Sequence, residues 1–337
     1  MPRRRAAALR AARAPWTHLS SRPAWAPWVV ALLLAAPTLV AVCRLLDTDA
    51  VTPVPQLLSF LPWLTAPAAC ALLVALAARR PVLVGWGAAT LAVTTWYVQP
   101  YGPDTTGARD RPVVTAGLRV LAANVEFGEA TRELLRVLRR ERPDLAFVSE
   151  CDPACVRVLS AAYPYRAQVV GPGSAGSVIL GAYPLTPRPA LPSSLGMPAA
   201  TAHIGGRDVR LRLAHPLPPL PGQVAAWKRE LGLLRDDAAR QARSGDPLLL
   251  AGDFNASQDH AAFRAVLDAG GLHDAARLAG HARTPTWPRE GPPLPPFVQI
   301  DHVLVGDDFS VRGARVLDVP GSDHRAVLVD LDLRARP

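Results

Sequence analysis

The sequence predicts an α/β domain preceded by membrane-spanning helices, and three observations carry that reading. From residue 118 onward, short apolar runs alternate with amphipathic segments, as strands interleaved with helices do. Before it, residues 23–103 hold three long uncharged stretches. Within the later part, nearly every apolar run stops at an acid, an amide or an imidazole.

The chain has 337 residues, enough for a membrane part and one domain with a full core. Its formal charge of +9 invites a nucleic-acid reading, but the distribution argues against it. Residues 1–117 carry 11 Lys+Arg against 4 Asp+Glu, whereas residues 118–337 carry 26 against 24. The excess basicity sits beside the apolar stretches, where it sets orientation, and the large domain is near neutral.

Residues 1–22, "MPRRRAAALRAARAPWTHLSSR", read as a basic cytoplasmic tail. Residues 23–100 form a membrane region with three transmembrane helices, drawn from the uncharged stretches 23–43, 50–78 and 81–103. Trp25, Trp28, Trp96 and Tyr97 lie near stretch ends, as interfacial anchors do, while Pro62 and Pro67 interrupt the middle stretch. A cleaved signal peptide accounts for the first stretch and leaves the other two unexplained. The tail and Arg79-Arg80 then lie inside and the Asp47/Asp49 loop outside. Three crossings give a multi-pass cell-membrane protein with everything after about residue 104 on the extracytoplasmic side. No intramembrane charge suggests a transport pathway, so the spans read as an anchor. Residues 101–117, polar with scattered Gly and Pro, are the linker to a domain at 118–334.

Within that domain "LRVLAAN" (118–124) is a strand, and "TRELLRVLRRERPD" (131–144) is a helix with Thr131 as cap and an apolar face at Leu134, Leu135 and Leu138. "LAFVSE" (145–150) and "SVILGAYPL" are strands, and "TAHIGGRDVRLRLAHP" is a hairpin turning at Gly205-Gly206. "WKRELGLLRDDAARQARSG" (227–245) is a second helix. "LLLAGDFNAS" (248–257) begins without alternation, as a strand buried on both faces does; on a strand, Asp253 and Asn255 leave from the same side. "VQIDHVLVG" and "HRAVLVDLDL" are the closing strands. Cys151 and Cys155 in "CDPAC" lack the second pair a zinc site needs; a disulfide between them requires an irregular turn, which Pro153 can supply.

Each strand-end residue alone has an ordinary reading as a turn or capping residue. Together Asn124, Glu150, His215, Asp253, Asn255, Asp301, Asp323 and His324 form a set that can converge on one sheet edge. In that order, with "GDFN", "IDHVL" and "GSDHRAVLVDL", the set resembles the endonuclease/exonuclease/phosphatase superfamily of DNase I-like proteins over about residues 118–334. The resemblance implies a four-layer α/β/β/α sandwich of two mixed sheets, a divalent metal, usually Mg²⁺ with Mn²⁺ as an alternative, and hydrolysis of a phosphate ester.

It assigns Glu150, Asn124 and Asp323 to the metal, a hard ion that takes oxygen ligands. Asp253 is suited to deprotonate the attacking water and Asn255 to hold water or phosphate. His324, its imidazolium supported by Asp301, contacts phosphate oxygens, and His215 contacts the phosphate opposite or assists the leaving group. Ser149 stands where the family commonly has Gln, which loosens the support of Glu150. Glu126 fits a solvated loop position somewhat better than a place in the metal shell, His302 reads as a packing residue on the opposite face from Asp301, and His273-Asp274 as the close of a helical turn. Trp287 and Arg289 fit either substrate recognition or loop packing. Arg325 fits a surface position better than a phosphate contact. The substrate is a nucleic acid, a phospholipid or an inositol phosphate. The competing reading, a catalytically silent membrane scaffold, predicts the loss of an essential group, and every core group is present.

Overall fold

The computed structural model describes residues 23–49, 51–107, 113–289 and 297–336. The basic tail, residues 1–22, lies outside the described residues, as do residues 108–112 of the linker and residues 290–296.

Two six-stranded mixed sheets make the centre of the domain. The first has the order β11 (Phe309–Asp318), β12 (Arg325–Arg334), β1 (Val114–Asn124), β2 (Leu145–Ser149), β4 (Ser177–Gly181), β3 (Tyr165–Val169). The second runs β5 (Leu185–Arg188), β6 (Ala199–Ile204), β7 (Arg207–Ala214), β8 (Leu248–Asp253), β10 (Asp301–Val305), β9 (His273–Asp274). Alternation along β1 sorts its side chains between two cores. Leu118, Val120 and Ala122 meet Leu249, Ala251 and Val303 of the second sheet, while Leu121 and Ala123 face outward. That outer face is covered by α5 (Thr131–Glu141) and α6 (Pro153–Ser160). Leu248 and Leu250 of β8 likewise pack under α7 (Val224–Ala242) and α8 (Ala261–Gly270), around the fully buried Trp227. The result is the four-layer α/β/β/α sandwich. Each fully buried Leu or Phe in it contributes about 1.5–3 kcal/mol.

Several elements differ from the sequence expectation for identifiable reasons. "SVILGAYPL" is two strands, β4 and β5, because the chain crosses from one sheet to the other between Gly181 and Leu185. Helix α5 starts after Ala130, and Thr131 donates its hydroxyl to Gly128 O at 2.6 Å instead of capping. His273-Asp274 is a short strand paired with β10, and Asp274 caps the short α9 (Ala275–Leu278) by accepting from Ala276 N. The hairpin at Gly205-Gly206 is as expected, with φ values of 55° and 75° that suit glycine; a Cβ on Gly205 would stand 3.0 Å from Thr115 O.

The N-terminal region forms a helical unit of α1 (Ala26–Leu45), α2 (Val54–Leu58), a 3₁₀ turn at Leu61–Leu64, α3 (Thr65–Ala77) and α4 (Pro81–Val98). Among the described residues two helices, α1 and α4, are long and apolar enough to cross a membrane. The expected third crossing at 50–78 is instead broken into three pieces. Pro53, Pro55 and Pro62 interrupt it, and Pro67 is accommodated in the first turn of α3, where no intrahelical donor is required. The 13 residues of α3 span only about 20 Å. Ala68, Ala71 and Ala75 let α3 pack closely on Val30 and Leu34 of α1. Leu32, Leu73, Val82 and Trp96 point outward and are exposed.

This unit is fastened to the sandwich by buried polar contacts. Asp49, 1% exposed, accepts from Ala262 N in the first turn of α8 at 2.8 Å and pairs with Lys228 at 3.1 Å. Arg283 donates to Tyr97 O and Val98 O, both at 2.8 Å, and forms a two-point ion pair with Asp259. His260 Nε2 donates to Pro55 O at 2.8 Å.

Candidate active site

Sheet topology explains why the strand-end residues meet. β1 runs parallel to β2, and β7 runs parallel to β8, so Asn124, Glu150, His215 and Asp253 all leave from C-terminal ends at one edge. β10 and β12 are antiparallel to β8 and β1, so their beginnings lie at that same edge. Asp301 sits directly opposite Asp253, and His324 immediately precedes β12. A pocket of about 570 Å³ opens there, lined by Glu150, His215, Asp253, Asn255, Asp323 and His324 among others.

Asp253, 2% exposed, ends β8. One carboxylate oxygen accepts from Asn255 N at 2.8 Å; the other stands 3.3 Å from Asn124 Nδ2, 3.8 Å from His324 Nε2 and 4.0 Å from His215 Nε2. Burial raises its pKa to about 6, against the opposing pull of His324. Asn255 reaches the pocket differently from the sequence expectation. It lies beyond the strand in a left-handed conformation with φ 46°, its amide donating to Pro216 O at 3.0 Å, so a turn brings it beside Asp253.

His324 Nδ1 donates to Asp301 Oδ2 at 2.9 Å, and Asp301 is fully buried. Burial disfavours the imidazolium, but the charges of Asp301 and Asp253 outweigh it and hold His324 up at about 10. His215 is pushed down by burial, and its Nδ1 has no hydrogen-bond partner among the described residues.

Glu150 follows β2 with φ 58°, and the loop of Glu126 and Phe127 that faces it also has positive φ, 46° and 56°. Such backbone is sparsely populated outside glycine and concentrates where a site needs it. Glu150 accepts from Asn124 Nδ2 at 3.2 Å and from Phe127 N at 3.0 Å. Those two donors support it, since Ser149 Oγ has no hydrogen-bond partner among the described residues. Cys151, next in the chain, is bonded to Cys155; Cys151 precedes the helix that starts at Pro153, which allows a Cα–Cα separation of 5.2 Å. Asn124 Oδ1 accepts from Glu126 N at 3.0 Å.

Asp323 accepts from Trp287 Nε1 at 3.0 Å, and its own backbone N–H donates to Glu126 Oε2 at 2.8 Å. Glu126 is therefore part of the site's framework and not simply solvated; burial, with Asp323 and Glu150 nearby, raises its pKa. Ser322 was not expected here either: it donates to Asn124 O at 2.8 Å and accepts from His324 N at 3.0 Å. The serine within "GSDH" was its one sequence signal. Trp287 lines the pocket, whereas Arg325 pairs with Asp318 at 2.9 Å.

The arrangement gathers the carboxylates of Glu150, Asp253, Asp301, Asp323 and Glu126 around two imidazoles. An excess of oxygen donors and negative charge is the chemistry a hard divalent cation neutralises. Asp253, Asp301 and His324 also lie close enough, their nearest ligand atoms within 4.8 Å of one another, to form a cation site. The hydrogen bond between the last two, however, already uses one atom of each.

Two mixed sheets between helical layers, with acidic and imidazole side chains gathered at one shared edge, define a DNase I-like α/β sandwich. A sequence profile of the endonuclease/exonuclease/phosphatase family matches residues 121–324, and the chain belongs to that family. Among solved structures, it is similar to an endonuclease/exonuclease/phosphatase from Beutenbergia cavernae, with TM-score 0.52 and 24% identity over 66% of this chain and 72% of that one. A D. rerio TDP2 complexed with single-strand DNA product gives TM-score 0.53 at 16% identity, over 64% and 99%. A mannosyl-6-phosphatase from Bacteroides thetaiotaomicron gives TM-score 0.50 at 17% identity, over 64% and 99%. No curated protein matches the sequence.

Proposed function

We propose that this chain is a membrane-anchored, metal-dependent hydrolase of phosphate esters. The observation that carries the reading is the convergence of Asp253, Asn255, His215, the Asp301–His324 pair and Glu150 on one pocket edge. Asp253 is the general base. Its raised pKa keeps it basic enough to accept a proton from water near neutral pH, and Asn255 N fixes its orientation. His324, charged and oriented by Asp301, turns Nε2 toward the pocket to stabilise charge on the phosphoryl oxygens. His215 stays neutral and donates to the phosphate or the leaving oxygen from its place between Glu150 and Asp253. A divalent cation, Mg²⁺ or Mn²⁺, held by Glu150 with Asn124 and Asp323, neutralises charge on the substrate when bound.

The anchor is the helical unit, with α1 and α4 as crossings and the 3₁₀ turn plus α3, apolar from Leu61 to Ala77, carrying the chain back between them. In this reading the Arg79-Arg80 turn lies in the cytoplasm and the domain, at residues 118–334, lies outside. The excess of Arg on the tail side and the Cys151–Cys155 bond, at home in an oxidising compartment, support that orientation.

The test is hydrolysis by the full chain in detergent, with Mg²⁺ or with EDTA, of plasmid DNA, phospholipid vesicles and inositol phosphates. Turnover of one substrate class that disappears in EDTA and in Asp253→Asn is expected. Turnover that survives both removes this site from the reaction.

A further inference from the structure

The active-site pocket has a wall that the sandwich alone does not provide. Beside Glu150, Asp253 and His324 the lining includes the apolar side chains of Leu217, Pro218, Leu220, Val298 and Ile300. Gln56, Ser59 and Phe60 line it too, and all three belong to the segment joining α1 to α3. The segment is locked in place. Gln56 Nε2 donates to Pro219 O, Trp63 Nε1 donates to Phe297 O at 3.1 Å, and the Phe60 and Phe297 rings lie 5.0 Å apart. Around it, Val51, Trp63 and Leu220 expose half or more of their surface. A set of apolar side chains left in water beside a catalytic pocket marks a surface meant for an apolar partner. The wall also sits at the sandwich-facing end of the bundle, where α1 ends and α4 delivers the chain to the domain.

We infer that the apolar half of this pocket takes the hydrocarbon portion of an amphiphilic phosphate ester, a lipid phosphate or phosphodiester, with the N-terminal helical unit building part of the binding wall. The inference rests on the phosphoesterase reading above and narrows its substrate class. A water-soluble sugar phosphate has no group to cover Phe60 and Leu220, and a nucleic acid base can stack on Phe60 but leaves the aliphatic and proline part of the wall uncovered. A hydrocarbon chain covers both, and its phosphate then lies toward Asp253 and His324. Each methylene desolvated there adds binding free energy that a short ester lacks.

The test uses the full chain in dodecyl maltoside micelles with Mg²⁺ and a pair of diesters, methyl and octyl p-nitrophenyl phosphate. In both, water oxygen bonds to phosphorus, the bond from phosphorus to the aryl oxygen breaks, and p-nitrophenolate leaves with release of the water proton. The chemistry is therefore constant and only the chain varies. The expected kcat/KM is about tenfold or more higher for the octyl ester. That ratio falls toward one in Phe60→Asp and, independently, in Leu220→Asp, each checked for native melting in the same micelles. A ratio near one in the native chain, or a ratio that both variants leave intact, overturns the lipid assignment while the phosphoesterase reading stands. Faster turnover of thymidine 5′-(p-nitrophenyl phosphate) than of the octyl ester overturns it in favour of nucleic acid. Absence of turnover for every ester, from a folded chain, takes down the phosphoesterase reading and this inference together.

Discussion

Adjacent residues of β10 belong to two His–Asp pairs with opposite fates. Asp301 faces the pocket and binds His324 Nδ1 at 2.9 Å; His302 faces the outer layer and binds Asp274 at 2.7 Å. The second pair is closed. His302 Nε2 reaches Ala256 O at 3.0 Å, and the ring packs on Phe263 with centroids 4.5 Å apart. The first pair is open at its working end: His324 Nε2 comes no closer than 3.8 Å to the carboxylates of Asp253 and Asp323. Strand alternation alone assigns one pair to chemistry and the other to packing. The difference teaches that a buried His–Asp pair becomes a candidate for catalysis when one nitrogen remains unspent, and a structural element when both are used.

The contrast is broken most severely at Asp253, the proposed base beside the open pair. Asp253→Asn removes the proton acceptor and is expected to lower kcat by about 10³-fold, measured with any diester the native chain turns over. Glu150→Gln comes next, with a loss of about 10²-fold that excess Mg²⁺ partly restores and that isothermal titration records as weaker metal binding. On the closed side, His302→Gln leaves Asp274 buried with a poorer partner. It is expected to cost about 2 kcal/mol of stability, read by thermal melting, with kcat of the folded fraction unchanged.

The smallest effect sharpens the comparison with a third buried imidazole. His260 Nδ1 accepts from Ser257 N at 2.9 Å, so protonation there breaks a hydrogen bond, and burial holds its pKa below the ordinary 6.5. Because the unfolded chain takes up that proton first, the stability this group allows is complete above its ordinary pKa and falls as pH drops below it. A His260→Gln variant should melt with a shallower decline between about pH 7.5 and 5.5, a difference of about 1 kcal/mol. An equally steep decline in the variant places the pH sensitivity elsewhere.

Much of the domain was legible because its determinants are local. β8 announces itself by six consecutive buried positions, and the hairpin by Gly205-Gly206. The candidate site residues stand out because they flank recognisable apolar runs, at the ends of β1, β2, β7 and β8 and at the beginnings of β10 and β12, and the edge they share follows from strand direction. The illegible features depend on contacts distant in sequence. Phe60 and Gln56 reach the pocket across more than 150 residues of chain, which no local pattern encodes. The middle apolar stretch reads as one continuous crossing by composition, yet its prolines divide it: the first part meets the domain through Pro55 and Trp63, while α3 packs on α1. Strand β11 carries charged and exposed positions along an outer strand of its sheet, so it lacked the apolar signature of its neighbours. Glu126 looked solvated because its partner, the backbone N–H of Asp323, lies almost 200 residues away.

The most direct measurement sets His324→Gln beside His302→Gln in the full chain, with kcat for bis(p-nitrophenyl) phosphate and thermal melting recorded for both. The account predicts a fall in kcat of about 10²-fold or more for His324→Gln, and a lowered melting temperature with native kcat for His302→Gln. Equal losses of kcat in the two variants, or the larger loss in His302→Gln, would contradict it.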